Sequence, residues 1–451
     1  MHVTSSTNKI NHNLTNYTFN DAIFTSRREK LFKELPEKSL VIIPNNNISI
    51  RSNDTEYKFR PDSDFYYLTG FEEPNSICVL KKDNGAFTYT MFVEPNNKEK
   101  EIWSGKRVGL EGVQSIYKAN ESYSIFDFDS KLKELIKGTE YIYLPFGKNK
   151  ELDLKITSLL GDLKLKNRSG VKAPLGIFDF RDIVHKMRLI KDNHEIDFIQ
   201  KASDISKVSH ILAMYKSKPG MFEYELEALI EDNFRALGGN CPAYSTIVGS
   251  GKNTTTLHYI NNNKKIQEND LILIDAGCEY NYYASDVTRT FPVSHKFNSA
   301  QKDIYEIVLK AQEEAIKEVK VGNRFIDPYN KATLIIAEGL KELGLLNGST
   351  EEIIKKEDYK KFFMHNIGHW LGLDVHDAGP YIDDSGNSIK LTPGMVLTIE
   401  PGIYIPNHSE GIPEHFQGIG VRIEDDILVT ENGNKVLTNG IPKTVKEIEL
   451  S

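Results

Sequence analysis

The chain has 451 residues, of which 39% are hydrophobic and 27% are charged, and its formal net charge is −8. This length exceeds what one hydrophobic core usually supports, so we expect two domains. The negative charge, without a local cluster of Lys or Arg, argues against nucleic acid as a partner. The longest apolar runs, such as residues 271–274, are far shorter than the ~20 residues of a membrane helix, which argues against a membrane protein.

The compartment is predicted from the N-terminus and the cysteines. The N-terminus lacks the apolar segment of a secretory signal. The three cysteines, Cys78, Cys241 and Cys278, lie far apart and have no CxxC spacing. This usage is typical of a reduced intracellular protein whose thiols pack as small apolar groups. We therefore expect a cytoplasmic protein whose partner is a peptide or another small molecule.

In chain order, the first predicted segment is a flexible N-terminus over residues 1–20, which are rich in Asn, Thr and Ser. A first domain is predicted over residues 21–182. Strand-like runs at 41–44, 76–80 and 141–145 alternate there with helical segments.

A second domain is predicted over residues 183–451. It begins with a long amphipathic helix, for which Asp192 is placed as the cap and Pro219-Gly220 as the stop. The other predicted elements are helices at 222–237, 299–320 and 328–343 and strands at 271–275, 286–293, 395–400 and 420–430. Their mixture indicates a mixed α/β (α+β) fold.

Acidic residues close three of the apolar runs in this second domain: Asp275, Glu400 and Glu424. An ionised carboxylate at the end of a buried strand is costly unless a cation compensates it. A fourth acid, Asp286, lies 11 positions after Asp275 beyond a turn region, so a hairpin could bring the two together. Any one of these acids is more often a cap or a surface ion-pair partner, but the repeated pattern favours a ligand role.

Three histidines, His365, His369 and His376, fall within 12 residues. A lone histidine in such a place is usually a hydrogen-bonded core residue. Three of them close to buried acids favour metal binding or proton transfer instead. His258, 17 positions before Asp275, is a weaker candidate.

One metal site can combine Asp275, Asp286, His369, Glu400 and Glu424, whose four carboxylates balance two divalent cations. Hard oxygen ligands with one imidazole favour manganese, with cobalt or iron as alternatives, over a thiolate zinc site. Two such cations about 3.5–4 Å apart can hold a bridging water, lower its pKa and direct the hydroxide at a carbonyl. The predicted chemistry is therefore hydrolysis.

Competing catalytic motifs are poorly represented. The sequence has no G-x-S-x-G, H-E-x-x-H or CxxC pattern, and Gly249-Ser250-Gly251 lacks the rest of a nucleotide-binding loop. A serine hydrolase, a zincin and a nucleotide enzyme are thus disfavoured.

These segments closely resemble the aminopeptidase P family, above all its compact two-domain bacterial form and organellar relatives. The matching stretches in the second domain are residues 247–251, 257–259, 274–280, 285–292, 369–377, 398–404 and 420–426. Those in the first domain are residues 60–71 and 101–107. The resemblance covers nearly the whole chain after about residue 20.

The resemblance implies a creatinase-like N-terminal domain, a C-terminal pita-bread domain, and removal of the residue that precedes proline at the N-terminus of a peptide. It implies that Asp275 binds one metal, that His369 and Glu400 bind the other, and that Asp286 and Glu424 bridge both. Glu400 would also accept a proton from the metal-bound water.

The histidines receive roles from the same resemblance. His376 would stabilise the gem-diolate formed at the scissile carbonyl and assist the leaving prolyl nitrogen. His258 and His365 would line the site around the proline. An Xaa-Pro bond has no N–H and carries a fixed ring, so a dedicated site that packs the ring against histidine and aromatic faces is physically reasonable.

Substrate-binding roles are implied for Tyr404 and Arg422, near the proline pocket, and for Trp103. Trp103 would reach in from an N-terminal domain, either of the same chain or of a neighbouring subunit. The family often forms dimers or tetramers, so a homodimer or homotetramer is expected.

Related activities are the alternatives. Prolidase, which cleaves Xaa-Pro dipeptides, uses the same ligands, but the wider N-terminal motif favours the aminopeptidase. Methionine aminopeptidase lacks so large a first domain, and creatinase lacks the metal ligands. Non-catalytic peptide- or histone-binding relatives typically lose the ligands, whereas all five are present here.

Overall fold

The computed structural model describes residues 20–166, 168, 170 and 172–450. The predicted flexible segment therefore lies outside the described residues except for Asn20. The chain divides into two compact units, one ending at Val184 and one beginning at His185, close to the predicted join at residue 182. Within the described part of the chain, no helix combines the length and apolarity needed to cross a membrane.

The first unit is built around one mixed sheet. Its helices are α1 (Asp21–Glu34), α2 (Ser63–Thr69), α3 (Lys98–Ser104), α4 (Gly109–Ser115), α5 (Phe128–Leu135) and α6 (Lys150–Leu165). Its strands are β1 (Ser39–Pro44), β2 (Ile50–Ser52), β3 (Thr55–Glu56), β4 (Ile77–Asp83), β5 (Ala86–Val93), β6 (Glu121–Ser124), β7 (Tyr141–Tyr143) and β8 (Gly176–Phe178).

The six-stranded sheet of this unit has the order β6-β5-β4-β1-β7-β8. Strand β4 runs antiparallel to both of its neighbours, while the other pairs are parallel. The first five residues of β1 are buried, as expected for a central strand covered on both faces. Helix α2 starts where the Asp62 side chain accepts a hydrogen bond from the Phe65 N–H, and it ends at Gly70, whose φ of +66° suits glycine.

The second unit contains the remaining elements. Its helices are α7 (Arg181–Leu189, which runs through the division between the units), α8 (Asn193–Lys216), α9 (Glu223–Ala236), α10 (Ser299–Glu318), α11 (Ile326–Glu342), α12 (Thr350–Lys355) and α13 (Val445–Leu450). Its strands are β9 (Cys241–Pro242), β10 (Ile247–Ser250), β11 (Leu271–Asp275), β12 (Cys278–Tyr280), β13 (Tyr283–Ala284), β14 (Thr288–Pro292), β15 (Val396–Ile399), β16 (Gly402–Ile405), β17 (Ile419–Arg422), β18 (Asp425–Thr430) and β19 (Gly433–Val436).

Short antiparallel sheets form the centre of this unit, in the orders β10-β11-β14, β13-β12-β9, β15-β18-β19 and β16-β17. Helices α8, α9, α10 and α11 pack with these strands around one large apolar core. The predicted cap of α8 is confirmed, because Asp192 and Glu195 form a reciprocal capping box. The helix ends at Lys216, before Pro219.

One predicted strand is corrected by the structure. The run predicted over residues 420–430 is two strands, β17 and β18, separated by Ile423 and Glu424. Strand β17 pairs with β16, whereas β18 pairs with β15. The chain therefore changes sheet at Glu424, and hydropathy could not reveal this because both strands are apolar and buried.

Candidate metal centre

Two of the predicted ligands meet through the pairing of β11 with β14. Asp275, the last residue of β11, lies opposite Thr288, the first residue of β14. Asp286 is two residues before that strand, and the hydroxyl of Tyr244 lies 2.7 Å from Asp275 Oδ1 and 2.5 Å from Asp286 Oδ1. The expectation that a reversal of the chain brings these aspartates together is therefore confirmed, with β12 and β13 lying in the connection.

The other acidic ligands come from the point where the chain changes sheet. Ile399 pairs with Asp425, so the neighbouring residues Glu400 and Glu424 lie at the same end of β15 and β18. The backbone N–H of Glu424 donates to the Thr288 carbonyl at 3.1 Å, which attaches this end to β14. The four carboxylates are thus brought together by strand pairing and not by proximity in sequence.

His369 completes the cluster. Its Nε2 is 3.3 Å from Asp286 Oδ2 and 3.9 Å from Glu400 Oε1. Among the described residues, possible ligand atoms of Asp286, His369 and Glu424 all lie within 4.8 Å of one another. The His369 Nδ1 is 3.0 Å from the Trp370 carbonyl, so Nδ1 carries the hydrogen and Nε2 is directed at the acids, as a metal-binding imidazole requires.

The protonation of the cluster reflects its buried negative charge. Burial raises the pKa of Glu400 to about 7, although the charges of His369 and Arg422 oppose this. Burial, together with the charges of neighbouring carboxylates, raises the pKa of Glu424 well above its ordinary value. Burial lowers the pKa of His369, but its hydrogen bond with Asp286 and the charges of Asp286 and Glu400 outweigh burial and raise it to about 9.

These residues fit divalent cations. Glu400 and Glu424 hold protons tightly because they are buried and lie near other carboxylates, and bound cations would take the place of those protons. The donor set is mostly oxygen with one imidazole nitrogen, which suits hard or borderline metals.

A hydrogen-bond network lies behind the cluster and includes two predicted substrate-binding residues. The Arg422 guanidinium donates to Asp275 Oδ2 at 2.6 Å, to the Thr288 hydroxyl at 3.1 Å and to the Tyr404 hydroxyl at 3.0 Å. The Tyr404 hydroxyl is 2.9 Å from His365 Nε2. Arg422 and Tyr404 are both buried, and their hydrogen bonds go to Asp275, Thr288, His365 and each other. A substrate-binding role for these two residues stays a prediction.

The remaining histidines surround the same place. The rings of His369 and His376 are 4.4 Å apart in an edge-to-face arrangement. Burial lowers the pKa of His365 to about 4 and also lowers the pKa of His376. The charge that His258 would carry lowers the pKa of both, so His258 is their neighbour.

A cavity of about 590 Å³ lies beside the cluster. His376 and Glu400 line it together with apolar side chains that include Phe325 and Tyr329. A cavity of this kind can receive an apolar group whose neighbouring carbonyl lies at the acids.

The comparisons with known proteins agree with this geometry. The family model of Metallopeptidase family M24 matches residues 197–431. The model of the aminopeptidase P N-terminal domain matches residues 24–143. The chain is 40% identical over 427 residues to Xaa-Pro aminopeptidase of Escherichia coli, covering 94% of this chain and 96% of the relative. It is 33% identical over 440 residues to Xaa-Pro aminopeptidase 3 of Homo sapiens, covering 94% and 85%.

The chain belongs to the Xaa-Pro aminopeptidases of this metallopeptidase family. The solved structure of Pseudomonas aeruginosa aminopeptidase PepP superposes with a TM-score of 0.93 at 41% identity, covering 96% of this chain and 98% of that one. Escherichia coli aminopeptidase P with the inhibitor Pro-Leu gives a TM-score of 0.92 at 40% identity, with coverage of 96% and 98%.

Membership in the Xaa-Pro aminopeptidases confirms several predictions. The fold class is confirmed, namely a mixed α/β chain with an aminopeptidase P N-terminal domain and a pita-bread catalytic domain. The prediction of a proline-specific metallo-aminopeptidase is confirmed as well, and the family binds divalent metal ions. The individual site residues stay predictions that the geometry supports.

Trp103 is the predicted site residue that belongs to the first unit. It lies in α3 and is 91% exposed, and its neighbour Ile102 is 82% exposed. A contact of Trp103 with substrate stays a prediction.

Several supporting residues were missed from the sequence. Tyr244 bridges the two aspartates. Thr288 donates its hydroxyl to Glu424 Oε2 at 2.7 Å, and the Asp426 carboxylate accepts the Asp286 N–H at 3.1 Å. No sequence signal marks Tyr244, because its partners lie 31 and 42 positions away. Asp426 does have a sequence signal, since it lies within the matched stretch 420–426.

Proposed function

We propose that this chain releases the N-terminal residue from peptides that carry proline in the second position, using two divalent cations, most favourably manganese, held by Asp275, Asp286, His369, Glu400 and Glu424. The observation that carries the proposal is the convergence of these side chains in one buried place. Oxygen-rich ligation favours manganese over a softer metal. Asp286 and Glu424 would be the ligands shared by the two cations, and in support, possible ligand atoms of Asp286, His369 and Glu424 lie within 4.8 Å of one another.

When bound there, the two cations supply an activated water and polarise the scissile carbonyl. Glu400 would accept the proton of that water, because its carboxylate lies among the proposed ligands, 3.9 Å from His369 Nε2. Its position at the edge of the 590 Å³ cavity lets it face the substrate.

The histidines act on the substrate itself in this proposal. His376 lines the cavity next to His369, so it can donate a hydrogen bond to the oxygen that gains negative charge and then assist the departing prolyl nitrogen. His258 and His365 pack against the proline ring. Burial lowers the pKa of His365 to about 4, so this ring is neutral at pH 7 and can serve as an apolar face.

The first experiment compares Arg-Pro-Pro with Gly-Pro as substrates of the metal-depleted protein, with and without manganese, by following release of the first residue. We expect manganese-dependent cleavage of the tripeptide well above the dipeptide. Preference for the dipeptide would identify a prolidase. No turnover of either substrate by the metal-loaded protein would point to a binding role. Parallel reconstitution with cobalt and zinc tests the preference for manganese.

We also propose that the protein is a cytoplasmic homodimer or homotetramer and that Trp103 contacts substrate from an N-terminal domain. The role of Trp103 is supported by the 91% exposure of this residue, which is unusual for tryptophan outside interfaces and binding sites. Trp103→Ala should raise the KM for Arg-Pro-Pro, with Ile102→Ala as the matched control on the same helix. An unchanged KM in Trp103→Ala would remove this residue from the site, and sedimentation analysis would give the oligomeric state.

A further inference from the structure

A buried group of ion pairs lies in the second unit next to His376. The Asp377 carboxylate receives Lys191 Nζ at 2.9 Å on Oδ2 and Arg188 Nη2 at 2.6 Å on Oδ1. The side chains of Lys191, Asp377 and Arg188 are 0%, 1% and 3% exposed. Arg188 also reaches Asp374 Oδ2 at 2.7 Å. We call Arg188, Lys191 and Asp377 the 377 clamp.

The clamp closes the turn that carries His376. The backbone N–H of Asp377 donates to the Trp370 carbonyl at 2.8 Å. The Asp374 N–H donates to Asp377 Oδ1 at 3.2 Å, and the Gly372 N–H donates to the Asp374 carbonyl at 3.1 Å. A Cβ at Gly372 would lie 2.4 Å from Asp377 Oδ2, so the carboxylate fills the inside of the turn.

The clamp also joins this turn to two other parts of the unit. Arg188 lies near the end of α7, and Lys191 lies just before the cap of α8. The Lys191 N–H donates to the Gly394 carbonyl at 2.9 Å, close to the start of β15, the strand that leads to Glu400. His376 and Glu400 are thereby tied to the same short segment of chain, residues 188–191.

Stability alone is a weak reason to keep such a group. Burying charged side chains costs desolvation energy, and apolar residues of similar volume are often as stabilising or more so. What ion pairs supply in addition is fixed geometry, because each hydrogen bond holds its partners at one distance and angle. The residue that gains most from this geometry is His376, which immediately precedes Asp377 and whose ring is packed against His369.

We propose that Arg188, Lys191 and Asp377 are positioning residues that hold the His376 ring in place beside the metal ligands. This inference rests on the role proposed above for His376. The ion pairs of Asp377 go to Lys191 and Arg188 and not to the proposed metal ligands. It acts by fixing the turn of residues 370–377.

The test is a double-mutant cycle with the manganese-loaded, full-length protein and Arg-Pro-Pro. Asp377→Asn keeps the side-chain size but removes the charge that holds Lys191 and Arg188. We expect it to lower kcat by about 10–100-fold, the loss typical when a hydrogen-bond partner that orients an active-site side chain is removed. The KM and the manganese content should stay within about twofold of the wild type. In the His376→Ala background, Asp377→Asn should cost less than about twofold, since the group being positioned is gone.

Two control backgrounds separate positioning from general damage. In His258→Ala, Asp377→Asn should keep its full effect on kcat, because the clamp does not contact His258. Ile230→Val, which trims a buried side chain of α9, lowers stability elsewhere in the unit and should leave kcat unchanged. Lys191→Met provides a milder variant, since Arg188 still holds Asp377, and it should give a smaller loss with the same dependence on His376.

The outcomes distinguish the inference from the function it rests on. An equal loss from Asp377→Asn with and without His376, in a wild type that cleaves the tripeptide, would overturn the clamp and leave the enzyme activity standing. Full activity in His376→Ala would overturn both the role of His376 and the clamp. Loss of manganese from Asp377→Asn would also overturn the inference, because the cluster would then be supporting the ligands.

Discussion

At the residue scale, the acids of the centre depend on neutral partners as much as on charges. Tyr244 contacts Asp275 and Asp286 with one hydroxyl, and Thr288 contacts Glu424 with another. Such partners orient a carboxylate without neutralising it, so its charge remains for a metal. The loss of one partner should therefore weaken metal binding more than it weakens the fold.

Tyr244→Phe is the corresponding prediction. Removing the hydroxyl leaves both aspartates without their shared donor, and we expect manganese affinity to fall about 10–100-fold. Isothermal titration of the metal-depleted protein measures this change. Tyr305→Phe is the matched control, because the Tyr305 hydroxyl donates to the Lys443 carbonyl at 2.6 Å and to none of the ligands. Equal affinities in Tyr244→Phe and wild type would contradict the assignment.

His210 provides a pH-dependent prediction at the same scale. Its Nε2 is 2.8 Å from the Ala276 carbonyl, and the ring is fully buried in α8. Burial lowers the pKa of His210 to about 4, so the folded protein binds this proton less readily than the unfolded chain. Its contribution to stability is therefore complete above about pH 6.5 and is lost as the pH falls towards 4.

His210→Gln should remove this dependence. At pH 5 the metal-depleted wild type should have lost about 2 kcal/mol more stability than the variant, relative to pH 8. Thermal unfolding from pH 8 to pH 5 measures the difference between the two proteins. The exposed His194→Gln serves as the control and should follow the wild type. Parallel curves for wild type and His210→Gln would show that the buried ring does not control acid stability.

At the element scale, one carboxylate ties the start of α9 to the segment that carries His258. Glu223 is fully buried and its Oε1 accepts from the Ser250 N–H, the Ser250 hydroxyl and the Asn253 amide. Its Oε2 accepts from the Tyr259 hydroxyl and the Lys264 N–H. Both carboxylate oxygens are thus used as acceptors, and a side chain with one acceptor oxygen cannot replace them.

Glu223→Gln should therefore destabilise this part of the second unit. Whichever way the amide turns, its NH2 faces a backbone N–H, either of Ser250 or of Lys264, and an unsatisfied buried donor costs about 1–3 kcal/mol. Glu225→Gln is the matched control in the same helical turn, because its side chain keeps an acceptor for the Phe222 N–H. Thermal unfolding should show a lower midpoint for Glu223→Gln alone. Equal midpoints would mean that water satisfies the freed groups.

At the scale of the whole molecule, the proposed ligands are confined to one unit. All of them lie between Asp275 and Glu424, and the second unit begins at His185. Without cations, this unit must bury carboxylates that raise one another's pKa. Metal removal should therefore affect the stability of the second unit directly.

Chelation with EDTA should lower the calorimetric transition of the second unit and leave that of the first unit unchanged. An ion at 100 times its Kd adds about 2.7 kcal/mol to the folded state, and a second ion adds to this. Manganese should restore the transition, whereas magnesium at the same concentration should restore less. Two outcomes would contradict the confinement of the metals to the second unit: a shift of equal size in both transitions, or no shift in either transition.

The sequence by itself determined the family, the five candidate ligands and most element positions. Asp275, Glu400 and Glu424 could be found because a charged residue at the end of a buried apolar run is energetically conspicuous. The helix beginning after Asp192 could be placed because capping depends on residues within one turn. Such local signals can be read from the sequence, since the residues that cause each feature lie within a few positions of it.

Only the tertiary structure decided how those residues meet and what supports them. Tyr244 and Arg422 contact Asp275 from 31 and 147 positions away, and Asp377 is held by Lys191 from 186 positions away. The change of sheet at Glu424 was equally hidden, because two buried strands in succession have the hydropathy of one. Strand pairing and buried hydrogen bonds join distant residues, and no local pattern records which distant partner a polar side chain will find.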